Sequence, residues 1–358
     1  MLYSQKEVQL ELRKYIQPNS LHGFALYISD ISLYLISIYG VLFLPELWMK
    51  LAASIFAGVK LGNLATVAHD AAHNSLTKLK SLNKFIAITS FLPCLFNYRL
   101  WLLDHNVLHH VKTNENIEDS YTPLSKEEYD SLSPFNKWKE RLYRKPSFLY
   151  FGLYYIVERW RKVKLYPTAK MPEYVKKSGW MHSALISVYF LAFIAVLACA
   201  PKFSNTGSIA AVVLGFVIPF YVFQTVYAFT VYVQHTHKRI AWFNYKPDRK
   251  GNGRQEFVSV SLEFPGWLSI LMHNVYSHAA HHVCPAIPCY RLKDAQVHLD
   301  KLIGEKSVSE RFTFSWLFET MQACKLYDYD NNLWLDFDGN ITSQIEMIDD
   351  SVKFANAA

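Results

Sequence analysis

The sequence is poor in charge and has no paired cysteines. Only 19% of its 358 residues are Asp, Glu, Lys or Arg, against roughly 25% in an average soluble protein. Together with 51% hydrophobic residues, this argues against a disordered chain. The five cysteines, Cys94, Cys199, Cys284, Cys289 and Cys324, are odd in number and form no CxxC pair, which excludes a zinc ribbon and a disulfide framework. The first residues, MLYSQKEVQLELRKYIQ, lack the basic start and apolar run of a cleaved signal, so nothing marks secretion. No segment repeats at a fixed period, and no basic run is interleaved with a nucleic-acid recognition motif. The net charge of +7 therefore points to a basic loop facing a membrane surface, with no nucleic acid partner.

What is present is a set of long apolar runs. A mean hydropathy of +0.03 is too polar for a chain that is nearly all membrane helix, and fits a few spans with a large polar portion. Residues 25–44 (ALYISDISLYLISIYGVLFL) make twenty positions, about 30 Å as a helix, which matches the hydrocarbon core. Residues 51–68 contain Lys60 and Asn63, which must face other helices or a polar cavity. Residues 183–200 and 209–233 form a second pair joined by PKFSNTG, so two hairpins of membrane helices are expected. A fifth run, 85–103, carries Pro93 and Arg99. A crossing there would put the histidine groups before and after it on opposite faces, so the run is expected to be re-entrant or interfacial.

Residues 111–179 hold fourteen Lys and Arg, including ERLYRK and RWRKVK, which places this segment on the cytoplasmic side. Within it Pro146–Tyr166 is expected to be an interfacial helix. From 235 to 358 the chain is mostly polar, and DYDNNLWLDFDGN reads as soluble tail. The expectation is an all-α integral membrane fold in one domain, 1–358. Four transmembrane helices would carry a cytoplasmic helical cap and tail (111–179 and 235–358) with a histidine-rich dimetal site.

Ten of the fourteen histidines fall in four tight groups. His69-Asp-Ala-Ala-His73 puts two imidazoles on one helix face, about 5–6 Å apart. His105-Asn-Val-Leu-His109-His110 and His278-Ala-Ala-His281-His282 each offer a same-face pair plus an adjacent histidine turned about 100° around the helix, able to reach a different metal. At this histidine content a given triplet pattern arises by chance about 0.02 times per chain. Eight clustered neutral imidazoles make sense around metal. They exceed any single zinc centre, and imidazole suits Fe, Cu, Zn and Ni alike; two metals sharing eight or nine nitrogens is the natural count. The fourth group, Gln234-His235-Thr-His237, follows the last apolar run and offers a ninth ligand. His235 leads there, with His237 able to replace or join it, or else to serve as an interfacial residue or helix-terminus cation.

At these residues the sequence resembles the membrane fatty acid desaturase family, whose signature is three histidine boxes. HDAAHNSL, DHNVLHHVKTN with Asp119 after it, QHTH and SHAAHHVCPAIPCYRLKDA carry the resemblance, which covers roughly residues 60 to 295. The QHTH group and the HHxxPxIPxYxL stretch look most like methyl-end acyl-lipid desaturases of the Δ12/ω-6 or ω-3 type. A third box opening with His278 and no HPGG segment depart from front-end desaturases with a fused cytochrome b5.

The resemblance implies a di-iron centre held by His69, His73, His105, His109, His110, His278, His281 and His282, with His235 as the ninth ligand and no catalytic residue beyond the ligands. It implies O2 as co-substrate and a fatty acyl lipid or acyl thioester as substrate. A separate ferredoxin or cytochrome b5 type carrier would supply two electrons, and the site would lie on the cytoplasmic face of a multi-pass membrane protein. A di-iron hydroxylase or carotenoid oxygenase would use the same boxes, and a membrane metal binder or transporter is a reading of another class. Asp70 and Asp119 are candidates to accept N–H bonds from ligating histidines, and Asn274 is a candidate polar neighbour or an ordinary helix position. Lys60 and Asn63 would line the substrate entrance or neutralise cavity walls. His22, His182, His273 and His298 are expected to be structural or interfacial.

Overall fold

The structure, a computed structural model, describes residues 3–117, 119–245 and 251–348; the end of the expected tail, 349–358, lies outside them. Among the described residues four helices are long and apolar enough to cross a membrane: Ser20–Phe43, Leu47–Ala72, Glu173–Ala198 and Ser208–His235. Each overlaps one expected span and starts earlier, because polar residues extend the helices beyond the apolar runs. Asn19 caps the first, its Oδ1 accepting the His22 N–H at 3.1 Å. That helix stops where Leu44, at ψ 146°, precedes Pro45, since proline pushes the residue before it out of the α region.

The chain divides into two compact units. One comprises Pro18–Asn106 and Phe151–Ala228, the other Met1–Gln17, Val107–Tyr150 and Phe229–Ala358. In the first unit, Lys60 on the second apolar helix donates to Asp30 on the first at 3.1 Å, both buried. Lys60 is thus spent on an ion pair between helices rather than on a cavity wall. Gly58 lets the second and fourth helices approach, because a Cβ there would lie 2.7 Å from the Pro219 carbonyl oxygen and 2.5 Å from Val222; small residues make such close crossings possible. Leu35, Ile36, Leu185, Val188 and Leu191 are exposed, as suits helices whose outer faces meet lipid.

The run 85–103 is not one helix. Lys80–Phe91 is about 18 Å long, too short for a crossing. The chain then turns through Leu95, at φ 52°. Asn97 restarts the helix, its Oδ1 accepting the Arg99 and Leu100 N–H groups at 3.0 and 3.2 Å. Its Nδ2 donates to the Gly179 carbonyl at 2.8 Å and to Ser183 Oγ at 2.9 Å, which pins this turn to the third apolar helix. The restarted helix continues as a π-helix, Leu102–His109.

The expected basic surface is partly internal. The helix Phe148–Tyr154 continues as a π-helix Tyr155–Lys164, whose Arg159 and Lys164 are buried and both bind Asp104, Arg159 at 3.0 Å. Arg144 of ERLYRK is also buried, its Nε donating to Glu140 at 3.0 Å. These cations satisfy internal carboxylates and are unavailable to a lipid surface.

The second unit corrects the all-α expectation, for the described residues are mostly helical with two small sheets. Strand Ser261–Glu263 pairs in parallel with Ser309–Arg311. Leu326–Asp328, Leu333–Leu335 and Ile341–Gln344 form an antiparallel sheet from the stretch expected to be soluble tail. Its acidic residues are turn formers. Asp328 Oδ1 accepts the N–H groups of Asp330 and Asn331 at 3.0 Å, and Asp336 Oδ1 accepts those of Asp338 and Asn340 at 2.9 and 2.8 Å, as Asx side chains do in turns. Between the turns Tyr327, Trp334 and Cys324 pack with Trp242, Phe243 and Ile345 in a buried cluster.

Asp30→Ala leaves the Lys60 ammonium buried without its carboxylate, and such a loss costs about 3–5 kcal/mol. Thermal unfolding in nanodiscs should show a large drop for Asp30→Ala and recovery in Asp30→Leu/Lys60→Met, where both charges are gone; an unchanged single variant would contradict the pairing.

Candidate metal centre

The first unit gathers three imidazoles. His69 and His73 lie at the end of the second apolar helix, which terminates when Asn74 adopts φ 60° and the Ser75 N–H bonds back to the Asp70 carbonyl at 3.0 Å. Asn tolerates this left-handed cap position, so the stop signal is part of HDAAHNS itself. His105 joins them from the π-helix, with ring centroids 4.7 Å from His69 and 5.2 Å from His73. Buried Trp101 stacks on His105 at 4.4 Å, and Asp104 beside it is held by Arg159 and Lys164. His69 Nδ1–H donates to Asp70 at 2.9 Å, which leaves Nε2 as its ligand atom.

The second unit holds the other six. The ligand atoms of His109, His235, His278 and His282, all buried, lie within 4.8 Å of one another. His278 Nε2 is 3.0 Å from both His235 Nε2 and His282 Nε2. The outward nitrogens have oxygen acceptors. His109 Nδ1 donates to Asp119 at 2.8 Å, His235 Nδ1 to the Val258 carbonyl at 3.2 Å, and His282 Nδ1 to Gln255 Oε1 at 3.3 Å. These bonds put the proton on Nδ1 and the Nε2 lone pair inward. Burial, reinforced by His278, His110, His235 and His109, holds His282 well below the ordinary histidine value, so it is neutral and able to ligate. Beside this group His110 and His281 face each other with Nε2 atoms 3.1 Å apart.

Inward lone pairs at such separations repel, and a cation among them removes the repulsion. Two nitrogens at about 2.1 Å from one ion and at right angles stand about 3.0 Å apart. The four-histidine set therefore fits a divalent metal: buried imidazoles, three of them with tautomers fixed from outside by oxygen acceptors.

The short helix His278–Val283 is placed by side chains remote in sequence. Ser261 Oγ accepts the N–H groups of His278 and Ala279, each at 3.2 Å, and Gln296 Oε1 accepts that of Ala280 at 2.8 Å, which satisfies the open donors of its first turn.

The expected same-face pairing holds in the third box, where His278 and His282 share a group, and fails in the second, where His105 and His109 do not. The second box is a π-helix, whose i→i+5 closure rotates residues four apart away from one face. The QHTH alternative also separates. His235 lies in the four-histidine group, whereas His237 stacks on Trp316, accepts the Arg239 N–H at 3.2 Å, and sits 3.5 Å from Glu310. Its hydrogen bond holds the Glu310 carboxyl down to about 2.

Asn274 lies in a turn at φ 52°, not in a helix, and donates to the Cys289 carbonyl at 3.2 Å. His22 is exposed, His182 packs against Tyr98, and His298 meets Tyr15. Sequence reasoning missed Gln255, which accepts from His282 and donates its Nε2–H to the His110 carbonyl at 3.1 Å. Its stretch, GNGRQEF, carries no spacing signal. Asp104 was missed too, since its cationic partners lie some sixty residues away.

The chain is similar to known proteins along most of its length. The chain is 23% identical over 294 residues to the sn-1 oleoyl-lipid 12-desaturase of a Picosynechococcus species, covering 82% of this chain and 81% of that protein. It is 24% identical over 309 residues to the chloroplastic omega-6 fatty acid desaturase of Spinacia oleracea, covering 85% of this chain and 65% of that protein's length. A sn-1 acyl-lipid omega-3 desaturase (ferredoxin) of a Synechocystis species is 24% identical over 287 residues, 79% of this chain and 74% of that protein. The fatty acid desaturase family model matches residues 45–314. All three histidine boxes and His235 fall inside that match, and the chain accordingly belongs to the fatty acid desaturase family of oxidoreductase enzymes.

Proposed function

We propose that the protein is a membrane-bound, non-haem di-iron desaturase that introduces a cis double bond into a lipid-linked acyl chain at a methyl-end position of the Δ12/ω-6 or ω-3 type. The observation that carries this reading is the four-histidine group of His109, His235, His278 and His282, whose inward nitrogens and fixed tautomers suit a redox metal. These four would hold one iron, and the remaining box histidines, His69, His73, His105, His110 and His281, are the ligands proposed for the second. Bound iron would supply the oxidising chemistry, in which O2, two electrons and two protons take two hydrogens from adjacent methylenes and two waters leave.

The chain's own residues supply orientation. Asp119, the Val258 carbonyl and Gln255 keep His109, His235 and His282 in the Nδ1–H tautomer, and Asp70 does the same for His69. Arg159 and Lys164 fix Asp104 and with it the start of the π-helix that presents His105. His237, tied to Glu310 and Trp316, stands outside the ligand set and anchors the end of the fourth apolar helix next to His235. In this reading the protein is multi-pass, in two hairpins, with the broken segment 85–103 re-entrant or interfacial and the site on the cytoplasmic face; the four long apolar helices support it. Electrons come from a separate carrier of ferredoxin or cytochrome b5 type; one relative is named for ferredoxin.

Expression in a host without polyunsaturated lipids should give a new diunsaturated or triunsaturated fatty acid by gas chromatography of methyl esters. An unchanged profile together with iron-free protein would sink the reading, and an oxygenated product labelled from 18-oxygen would make the enzyme a hydroxylase. Replacing any box histidine, for example His109→Ala, should abolish product and lower bound iron, whereas His22→Ala leaves both unchanged and His237→Ala keeps its iron. Gln255→Ala should weaken metal binding about 10–100-fold, read as iron retained on titration with a chelator; wild-type retention would remove Gln255 from the site's support.

A further inference from the structure

We infer that the second unit carries its own membrane-dipping lip, built by the parallel strand pair and separate from the four spanning helices. Strands Ser261–Glu263 and Ser309–Arg311 run side by side in the same direction, with Glu263 opposite Arg311. Each leads directly into a short helix, Gly266–Leu271 and Phe314–Ala323. Parallel pairing in register therefore brings the starts of the two helices to the same edge. Phe264 and Phe312, the residues just after the strands, stack at 4.6 Å and fix that arrangement.

From this edge four large apolar side chains point into solvent: Trp267 is 69% exposed, Ile270 73%, Phe314 71% and Phe318 48%. They lie three and four residues apart on their helices, so each helix presents one apolar face. Exposed apolar clusters of this kind mark interaction surfaces. Ser315 and Glu319, bonded to each other at 2.8 Å, give the second helix a polar border, which suits shallow insertion at a headgroup boundary rather than full burial.

The occupant follows from continuity with the fourth apolar helix. Phe312 packs on Phe229 at 5.8 Å, and Phe229 belongs to Ser208–His235. That helix has 28 residues, about 42 Å against a hydrocarbon core of about 30 Å, so its ends emerge into the headgroups. An overhang of about 12 Å leaves about 6 Å at each end, so Phe229, six residues or about 9 Å from the last, lies about 3 Å inside the hydrocarbon core, near the boundary where interfacial helices place their apolar faces. The lip is thereby hung from a spanning helix at the level of the acyl-headgroup boundary, where Trp and other aromatics concentrate. Its partner is the lipid surface itself. The inference rests on this helix crossing the bilayer and not on the desaturase reading.

The test uses the full chain in phosphatidylcholine nanodiscs with Cys199→Ser, which removes the exposed native cysteine. Trp267→Cys, Ile270→Cys, Phe314→Cys and Phe318→Cys are each labelled with a polarity-sensitive fluorophore and quenched either by a nitroxide on the lipid acyl chain or by aqueous iodide. Val217→Cys, at an exposed position well inside the fourth apolar helix, and Asp338→Cys, on the polar surface of the second unit, serve as references. The lip labels should lose emission to the lipid nitroxide as the 217 label does and be shielded from iodide several-fold relative to 338. Iodide quenching equal to that at 338, with 217 still quenched by lipid, would overturn the lip alone. Shielding from both quenchers would identify a protein partner and overturn it as well. Loss of lipid quenching at 217 would overturn the spanning helix and the lip with it.

Discussion

Four imidazole nitrogens turned inward in a buried pocket are an unfavourable arrangement by themselves. The rings have lost water, and His278 Nε2 stands 3.0 Å from the Nε2 atoms of His235 and His282. The arrangement persists because the outer nitrogen of three of the rings is tied to an oxygen: Asp119 for His109, the Val258 carbonyl for His235, Gln255 for His282. Protonation offers little relief, since burial and the neighbouring rings hold His282 well below its usual value. A metal cation satisfies all four at once. Much of the second unit can be understood as the support that keeps these rings in that tautomer and position.

The support is drawn from far along the chain. Ser261 and Gln296 hold the first turn of the third box from outside its own short helix. Gln255 spans two boxes with a single amide, accepting from one histidine side chain and donating to the backbone of another. In the first unit the same economy uses charge. Asp104 is clamped by two cations of a π-helix, and Lys60 ties two apolar helices through Asp30. Basic residues that a composition argument would assign to a surface are thus consumed internally.

The sequence was informative where chemistry depends on spacing along the chain. The four apolar runs and the first and third histidine boxes are local patterns, and the structure places each on a helix or at its end. Legibility ends where distant segments decide. No local pattern distinguishes the π-helix at Leu102–His109 from an α-helix, yet that change moves His105 and His109 off a common face. DYDNNLWLDFDGN looks like solvated tail by composition, but its Asp residues cap turns while Trp334 and Tyr327 enter a core completed by Trp242 and Phe243. Gln255 and Asp104 act through partners that only the fold brings near. His235 was already the leading ninth ligand by sequence, and the fold separates it from His237, two residues on, by setting His237 against Trp316 and Glu310.

Family membership, buried imidazoles and apolar helices converge on a desaturase with membrane helices; in the proposed function the metal supplies reactivity and the protein supplies ligand orientation. The central claim concerns the metal. Mössbauer spectroscopy of the full chain produced with iron-57 and purified in nanodiscs, combined with elemental analysis, tests it most directly. The account predicts two non-haem iron ions per chain in nitrogen-rich environments. A chain that carries zinc or nickel instead, or a single iron, would contradict it.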